Sequence, residues 1–427
     1  VAMYGVVAQR IGGQTLASWA GTGTGEGSVD EWEVRVRANP RATSRILSTQ
    51  ALLLDDWSPE GAHNFSNHET VVRRIRNNDL FFGGIWVCGT VDFLQILSLN
   101  QPPLWMAPKW SSVVIPEGIL VHFNEQHRFG NREDARLLER VRTNQLQPAD
   151  ICRIQSLSAN EESVEQLEPL HLFPKVDEVS KFHSDAAAKI EQAEPGRILR
   201  YKSLVQREGT VQLITSEQAE QRFITGTRIM FRLNNLNGHR TQKSFTRQPI
   251  FANGTLGRVV DRRSLVERKA RTHDVLKLWL EHQGTFELPV VTLDDDPTTQ
   301  YVLEPIWFDP ESDGSRVLAL PAVEASAITI HKSLGTTLPA AVVHLQSLKK
   351  TDIASNFIRH LVYEALSRCK SMDCLCVKGF EQSLIVVDRE AVEAMATLEQ
   401  HAASVEVANE LLQLLASLSE ESLGDVK

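Results

Sequence analysis

Cysteine is scarce: Cys88, Cys152, Cys369, Cys374 and Cys376 are the only five in 427 residues. An odd number without paired spacing excludes a disulfide framework and suits a reducing compartment. Cys374 and Cys376 are too close for a Cys-x-x-Cys site and no histidine pair accompanies them, so no structural metal site is expected. No apolar run reaches the roughly 18 residues of a membrane span, so no membrane partner is expected. Basic residues do not dominate either. The 45 Lys and Arg face 54 Asp and Glu, for a net charge of −9. That excludes a uniformly basic nucleic-acid coat while leaving room for a local basic groove. Finally, no Gly-Lys-Thr or Gly-Lys-Ser occurs anywhere, so the lysine-bearing loop that grips a triphosphate is not within these residues. The run Gly21-Thr-Gly-Thr-Gly-Glu-Gly27 does not replace it. It has no lysine, Glu26 would repel phosphate and no strand precedes it, so a surface loop is expected.

What is present is patterned. Hydrophobic residues make up 42% and charged ones 23%, the balance of a folded chain, and the length calls for two or three domains. Val1 to Ala8 reads as a buried strand running into a helix, not as a targeting peptide. The chain is therefore expected to start in the middle of a domain, with something upstream. Residues 29–48 read as one charged helix. Ala51 to Leu54 is an apolar strand ending on Asp55 and Asp56, the form of a strand whose acids hold Mg²⁺ and orient water; the plain alternative is a buried strand capped by aspartate. Residues 68–80 read as a basic amphipathic helix with Arg73, Arg74 and Arg76, and Gly83 to Gly89 as a second strand. Three such units in succession argue for a parallel sheet with helices on both faces.

Further on, residues 131–145 read as helical, 155–168 as a linker, 171–183 as strand, Pro turn and helix start, and 184–225 as polar without clear period. From Thr227 the pattern turns to β, with a hairpin-like unit from Phe251 to Val260 around Asn253-Gly254. A small antiparallel barrel inserted before residue 318 is expected. Residues 388–418 carry Leu398, Val405, Ala408, Leu411, Leu412, Leu415 and Leu418 at helical spacing. That stripe is expected to pack on its own domain or to dock a partner.

The stretch with the most chemistry is Ala327-Ile-Thr-Ile-His-Lys-Ser-Leu-Gly335. A buried strand delivers His331, Lys332 and Ser333 to a glycine turn, a set that suits an oxyanion or a phosphodiester backbone. About thirty residues on, Arg368 follows a helical stretch one turn after Glu364, where an arginine finger would stand. The plain alternative is a strand, a turn and a surface arginine.

Taken in order, these segments resemble one family, the Pif-one type, superfamily 1, 5′-to-3′ DNA helicases, from about residue 2 to 387. Tyr4-Gly-Val-Val-Ala8 with Ile11 to Gly21 looks like the family's first strand-contacting motif, and Leu54-Asp55-Asp56 like motif II. Arg73-Arg-Ile-Arg-Asn-Asn-Asp-Leu-Phe-Phe-Gly-Gly84 is similar to the family's own signature. Asp92-Phe-Leu-Gln95 resembles motif III, Glu125-Gln-His-Arg128 motif IV, Phe251 to Val260 the accessory barrel, Ala327 to Gly335 motif V, and Tyr363 to Ser371 motif VI. The resemblance implies an α/β fold of two RecD-like (RecA-type) parallel-sheet domains with a small β-barrel insert and a C-terminal helical extension. Residues 1–150 would be the first domain, its phosphate-loop part missing; 151–226 and 318–387 the second; 227–317 the insert; 388–427 the extension.

The resemblance also implies roles. ATP would lie between the two domains. Asp55 would bind Mg²⁺, Asp56 would stand where the water-activating glutamate stands, Gln95 would sense the γ-phosphate, and Arg128 and Arg368 would reach it across the cleft, with Gly335 in the cofactor contact. Tyr4, Gly5, His331, Lys332 and Ser333 would hold single-stranded DNA or RNA. Departures gather at the nucleotide. Asp56 is one methylene shorter than the family's glutamate, and a shift of about 1 Å at such a group can cost roughly 10² in rate. Val91 replaces a glycine, Leu97-Ser98-Leu99 the expected Pro-Pro, Leu334 a glutamine and Ser326 an aromatic. The expectation is a degenerate relative that binds single strands, or serves as a scaffold in a large protein or ribonucleoprotein assembly docked through the C-terminal helix, with weak or no ATP turnover and no nucleotide or Mg²⁺ bound in this chain. The alternative is an active ATP-dependent helicase of DNA replication, repair or recombination whose phosphate loop lies upstream. The compartment stays open, intracellular, with mitochondrion and nucleus both compatible.

Overall fold

Two parallel sheets, each with its own apolar core, carry the architecture, and an antiparallel β unit is set into the second. The structure, a computed structural model, describes residues 1–23, 25–98, 101–123, 127–207, 210–214, 220–232, 251–264, 274–283, 287–308, 315–348, 358–402 and 410.

In the first lobe Ala51–Leu54 pairs in parallel with Trp86–Gly89, Ala51 opposite Trp86 and Leu53 opposite Cys88. Alternation sends Leu52 and Leu54 into a core with Trp32, Trp57, Phe65, Phe82 and Phe93. Ala51, Leu53, Trp86 and Cys88 share the opposite face, and it is bare: Leu53 is 57% and Trp86 69% exposed. Parallel sheets are normally covered on both sides, so the expected helices lie over one face only. The single helix expected over 29–48 is two, Val29–Arg37 and Pro40–Ser48. Pro40 cannot donate to the first helix, and the Asn39 side chain accepts from Ala42 N at 3.2 Å to start the second.

The signature segment is a staple. Arg76 donates to the carbonyls of Ile46 (2.7 Å), Leu47 (3.1 Å) and Thr49 (2.9 Å) and, through Nε, to Gly83 (2.7 Å). It thereby satisfies carbonyls at the end of the preceding helix that have no partner within it. A Cβ on Gly83 would lie 2.8 Å from Arg76 Cδ, so the close pass needs glycine.

In the second lobe four parallel strands run in the order Ala327–Thr329, Leu170–Phe173, Ala341–His344, Leu375–Lys378. Their core also takes Leu137, Leu138 and Val141 from helix Arg132–Arg142. These side chains belong with the second lobe although they precede residue 150. The expected linker over 155–168 is structured instead, with Leu157 and Val164 fully buried. The helix begun before 183 runs on, Val176–Ala193, and β structure starts at Ile198 rather than Thr227. The strands up to Ile224 read as aperiodic because each is only four or five residues long and partly buried.

The antiparallel unit has a five-stranded sheet ordered Asp296–Val302, Glu287–Leu293, Leu256–Ser264, Arg228–Phe231, Ala322–Glu324. It shares one core, including Tyr201, Phe223, Phe231, Phe251 and Trp279, with the remaining strands. Leu256–Ser264 runs between Arg228–Phe231 and Glu287–Leu293, so residues 251–260 are a turn plus one strand and not a hairpin. Helix Arg389–Gln400 leaves the second lobe at Asp388 and lies on the first, burying Ala391 and Leu398 there. The stripe from Val405 to Leu418 lies outside the described residues. Among the described residues no helix is long and apolar enough to cross a membrane.

The lobes meet at Gly335. Helix Gly5–Arg10 of the first lobe lies against it, with Arg10 Nη1 donating to Gly335 O at 3.1 Å. Gly335 has φ +71°, and a Cβ there would fall 2.3 Å from Val7 Cγ2. Gly335→Ala is therefore expected to destabilise the protein by about 1–3 kcal/mol through strain and overpacking. Adding Val7→Ala should recover part of the loss in chemical denaturation. An unchanged midpoint for Gly335→Ala, or no recovery in the double variant, would contradict this contact.

Candidate functional site

The cleft between the lobes is organised by the carboxylate of Asp92. Its own N–H donates to Ser58 Oγ at 2.6 Å, which pins the turn. Oδ1 accepts from Leu94 N at 3.0 Å and from Arg142 Nη2 at 2.7 Å; Oδ2 accepts from Gln95 Nε2 at 3.0 Å. Arg142 ends a helix packed in the second core. One aspartate thus orients the glutamine expected to sense phosphate and bonds across the lobes.

Opposite lies Arg368, 3% exposed. Its Nη2 is 2.5 Å from Glu364 Oε1 and 2.8 Å from Ser367 Oγ, its Nη1 donates to Ser333 O (3.2 Å) and Thr336 O (3.0 Å), and its Nε donates to Glu364 O (2.9 Å). The guanidinium therefore braces the turn after strand Ala327–Thr329 and points within its own lobe. Arg128 Nη1 donates to Ser367 O at 3.3 Å. Burial, and then the neighbouring Arg368 charge, hold its pKa below the usual arginine value.

Burial pushes Asp56 up to about 7, helped by the charges of Glu364, Asp92 and Asp55 and opposed by Arg368. Glu364 is fully buried and raised by the same cause. Tyr4 packs onto the second core, and burial followed by the charge of Asp56 raises its hydroxyl well above the ordinary value. Asp55 lies at the rim, its Oδ1 accepting from Thr90 Oγ1 at 3.2 Å. Asp56, Gln95, Arg128 and Arg368 are thus gathered around one cleft, with Tyr4 turned into it.

The residues expected to touch a nucleic-acid strand fare differently. Ser333 is fully buried and its Oγ donates to Ile330 O at 2.7 Å, so its hydroxyl is spent inside the turn. Gly5 opens the first helix and His331 is half-buried. Of the five, Lys332 alone is exposed; partial desolvation of its ammonium, and then the nearby charge of Arg232, lower its pKa. Gly335 serves helix packing through its missing side chain. Two substituted positions do packing work as well: Leu334 lies in the second core and Val91 against the first.

Reading the sequence missed Asp92, Arg142, Glu364 and Arg232. Asp92 and Glu364 lie within the segments that resemble motifs III and VI, beside the residues whose roles those motifs imply. Nothing local distinguishes Arg142 from Arg136 or Arg140 on the same helix.

Among the described residues no group of three or more His, Cys, Asp or Glu side chains is placed to hold a metal by itself. Mg²⁺ commonly takes one or two carboxylates and completes its shell with water and phosphate oxygens. Asp55 and Asp56 fit that requirement, since Asp56 is crowded by other carboxylates whose repulsion a cation would relieve.

Two RecA-type α/β lobes thus face each other across acids, a glutamine and arginines. Residues 1–106 match the family model described as PIF1-like helicase. The ATP-dependent DNA helicase PIF1 of Emericella nidulans is 26% identical, with 92% of this chain aligned to 55% of that protein. The Psychrobacter sp. ATP-dependent DNA helicase Pif1 is 25% identical (96% of this chain, 66% of that one), and human PIF1 24% (93% and 57%). The crystal structure of Pif1 helicase from Candida albicans superposes with a TM-score of 0.71 at 23% identity, covering 93% of this chain and 88% of that one. That of a Bacteroides Pif1 in complex with ADP-AlF3 and ssDNA superposes with 0.64 at 17%, covering 92% and 85%. By sequence this chain is similar to PIF1 helicases over most of its length, and its fold is that of the solved Pif1 structures. It spans about half to two thirds of the length of the curated relatives it matches.

Two measurements follow. The Asp56 carboxyl moves from 3.8 to about 7 on folding. The folded state holds that proton more tightly than the unfolded chain, so stability falls as pH rises through this window. Asp56→Asn should raise the melting temperature more at about pH 7.5 than at about pH 5; an equal change at both would contradict the assignment. Arg368→Ala leaves Glu364 buried without its cation and should cost about 3–5 kcal/mol of stability, whereas Arg368→Ala with Glu364→Gln should recover much of it. If Arg368→Ala melts like the parent, the buried pair is not as described.

Proposed function

We propose that this chain is the strand-handling body of a DNA helicase. It binds single-stranded DNA along the exposed side of the turn at Lys332 and presents Asp55, Asp56, Gln95 and the cleft arginines to a triphosphate whose grip these 427 residues do not contain. The observation that carries the reading is the convergence on one cleft of Asp56, Asp92, Gln95, Arg142, Glu364 and Arg368 from both lobes. Bound Mg²⁺ would neutralise charge on the transferring phosphoryl group. The chain's own part is positional: Asp92 holds the Gln95 amide, Asp56 near neutrality can take a proton from water, and Arg128 stands beside Ser367 within reach of a closing cleft.

The bare face of Ala51, Leu53, Trp86 and Cys88 supports a phosphate-gripping strand and helix supplied from outside these residues. A second reading, a body that kept the shape and lost the reaction, is supported by the complete internal engagement of Arg368. On either reading the 427 residues alone should hydrolyse no ATP above background, with or without single-stranded DNA. Affinity for an oligothymidylate should fall linearly on a log–log salt plot, and Lys332→Ala should flatten the slope by about 0.7. Robust turnover by this chain would overturn the missing grip, and salt-indifferent binding or none would overturn the strand-handling role.

A further inference from the structure

Helix Arg389–Gln400 joins two places that the sequence keeps far apart. At its start, the Asp388 side chain accepts from Glu390 N (3.0 Å) and Ala391 N (3.5 Å) and also holds the Arg359 guanidinium. Asp388 N donates to His360 Nε2 at 3.3 Å, and His360 N donates to Val386 O at 2.9 Å. His360 is the residue that opens helix Leu361–Leu366, which carries Glu364 and runs straight to Arg368. The helix therefore begins on the brace of the second lobe.

Its middle rests on the first lobe. Met395 Sδ accepts the Phe93 N–H at 3.4 Å. The Phe93 ring is wedged against Trp105 and Trp110, with centroids 4.8 and 5.6 Å away. Phe93 follows Asp92 directly and stands two residues before Gln95, in the turn whose geometry sets the cleft. Two lobes with separate cores need something that keeps this turn in register with Arg368. Arg142 supplies one link from the second lobe, and the helix supplies the other from behind.

We propose that helix Arg389–Gln400 is a strap that positions the Asp92–Gln95 turn relative to the Arg368 brace, with Asp388 and Met395 as its two anchoring residues. Neither touches nucleotide; both act through the turn. The role in catalysis rests on the reading of the cleft given above, whereas the mechanical link can be measured without nucleotide or DNA. Local opening of a turn held by few contacts is visible in hydrogen exchange.

The test is amide exchange by mass spectrometry on the full chain, comparing the parent with Arg359→Ala and Met395→Ala. Arg359 is partly exposed, and its loss frees only the Asp388 end. Both variants should exchange about tenfold faster at residues 93–95 while circular dichroism and melting show a folded protein. Acceleration in Arg359→Ala confined to residues 386–391, with 93–95 at the parental rate, would overturn the strap, because a helix that merely packs would feel the lesion only nearby. Parental exchange at 93–95 in Met395→Ala would overturn it as well. If oligothymidylate binds, it should slow exchange at 93–95 in the parent and less in Arg359→Ala; equal slowing in both would count against coupling through the helix. Absence of binding would bear on the functional reading alone and leave the two exchange comparisons to decide the strap.

Discussion

The bond between Asp92 and Arg142 is where one lobe learns the position of the other. The carboxylate is shared among a backbone amide, the Gln95 amide and a guanidinium from the opposite core. Hydrogen bonds to a charged group contribute about 1.5–3 kcal/mol each when shielded from water. Here the partners are about one-fifth exposed, 20% and 22%, so screening trims the energy without removing the directionality. If Arg142 moves, Asp92 must find another partner, and Gln95 loses the oxygen that fixes its rotamer. The relative position of the lobes and the aim of the Gln95 side chain are therefore tied through one carboxylate.

The second brace has a different balance. Glu364 and Arg368 are almost wholly buried, and a buried pair repays its desolvation only when the remaining donors are satisfied. Arg368 meets its half of that condition with carbonyls of Glu364, Ser333 and Thr336, whereas both buried carboxylate oxygens of Glu364 accept no hydrogen bond, so the pair leans on the charge contact alone. The residue that looks most like a finger is thus committed to holding a turn, and reaching phosphate would need those carbonyls to be released. The exposed side chains of Arg232 and Lys332 lie outside this brace.

The parallel strands and their order-setting apolar runs were legible, because burial on both faces or one leaves a plain mark in the sequence. So were Asp56, Gln95, Arg128 and Arg368 as members of one cleft, through their motifs. Other features were not. Pro40 splits the helix expected over 29–48, and the charge pattern does not mark the break because it continues on both sides. The linker expected over 155–168 hid Leu157 and Val164 among polar neighbours, and two buried residues suffice to anchor short helices. Ser333 looked available since a serine beside a lysine suits phosphate, yet the strand end turns it inward. Arg142 could not be singled out because its partner is fifty residues away in a different lobe.

The bond between the lobes is measured most directly by a double-mutant cycle on Asp92→Asn and Arg142→Gln, read as unfolding free energy in denaturant. A coupling of about 1–3 kcal/mol between the two positions is expected. Either single change should also loosen the 93–95 turn. Additive losses, with no coupling beyond about 0.3–0.5 kcal/mol, would mean that the lobes are not joined through this bond.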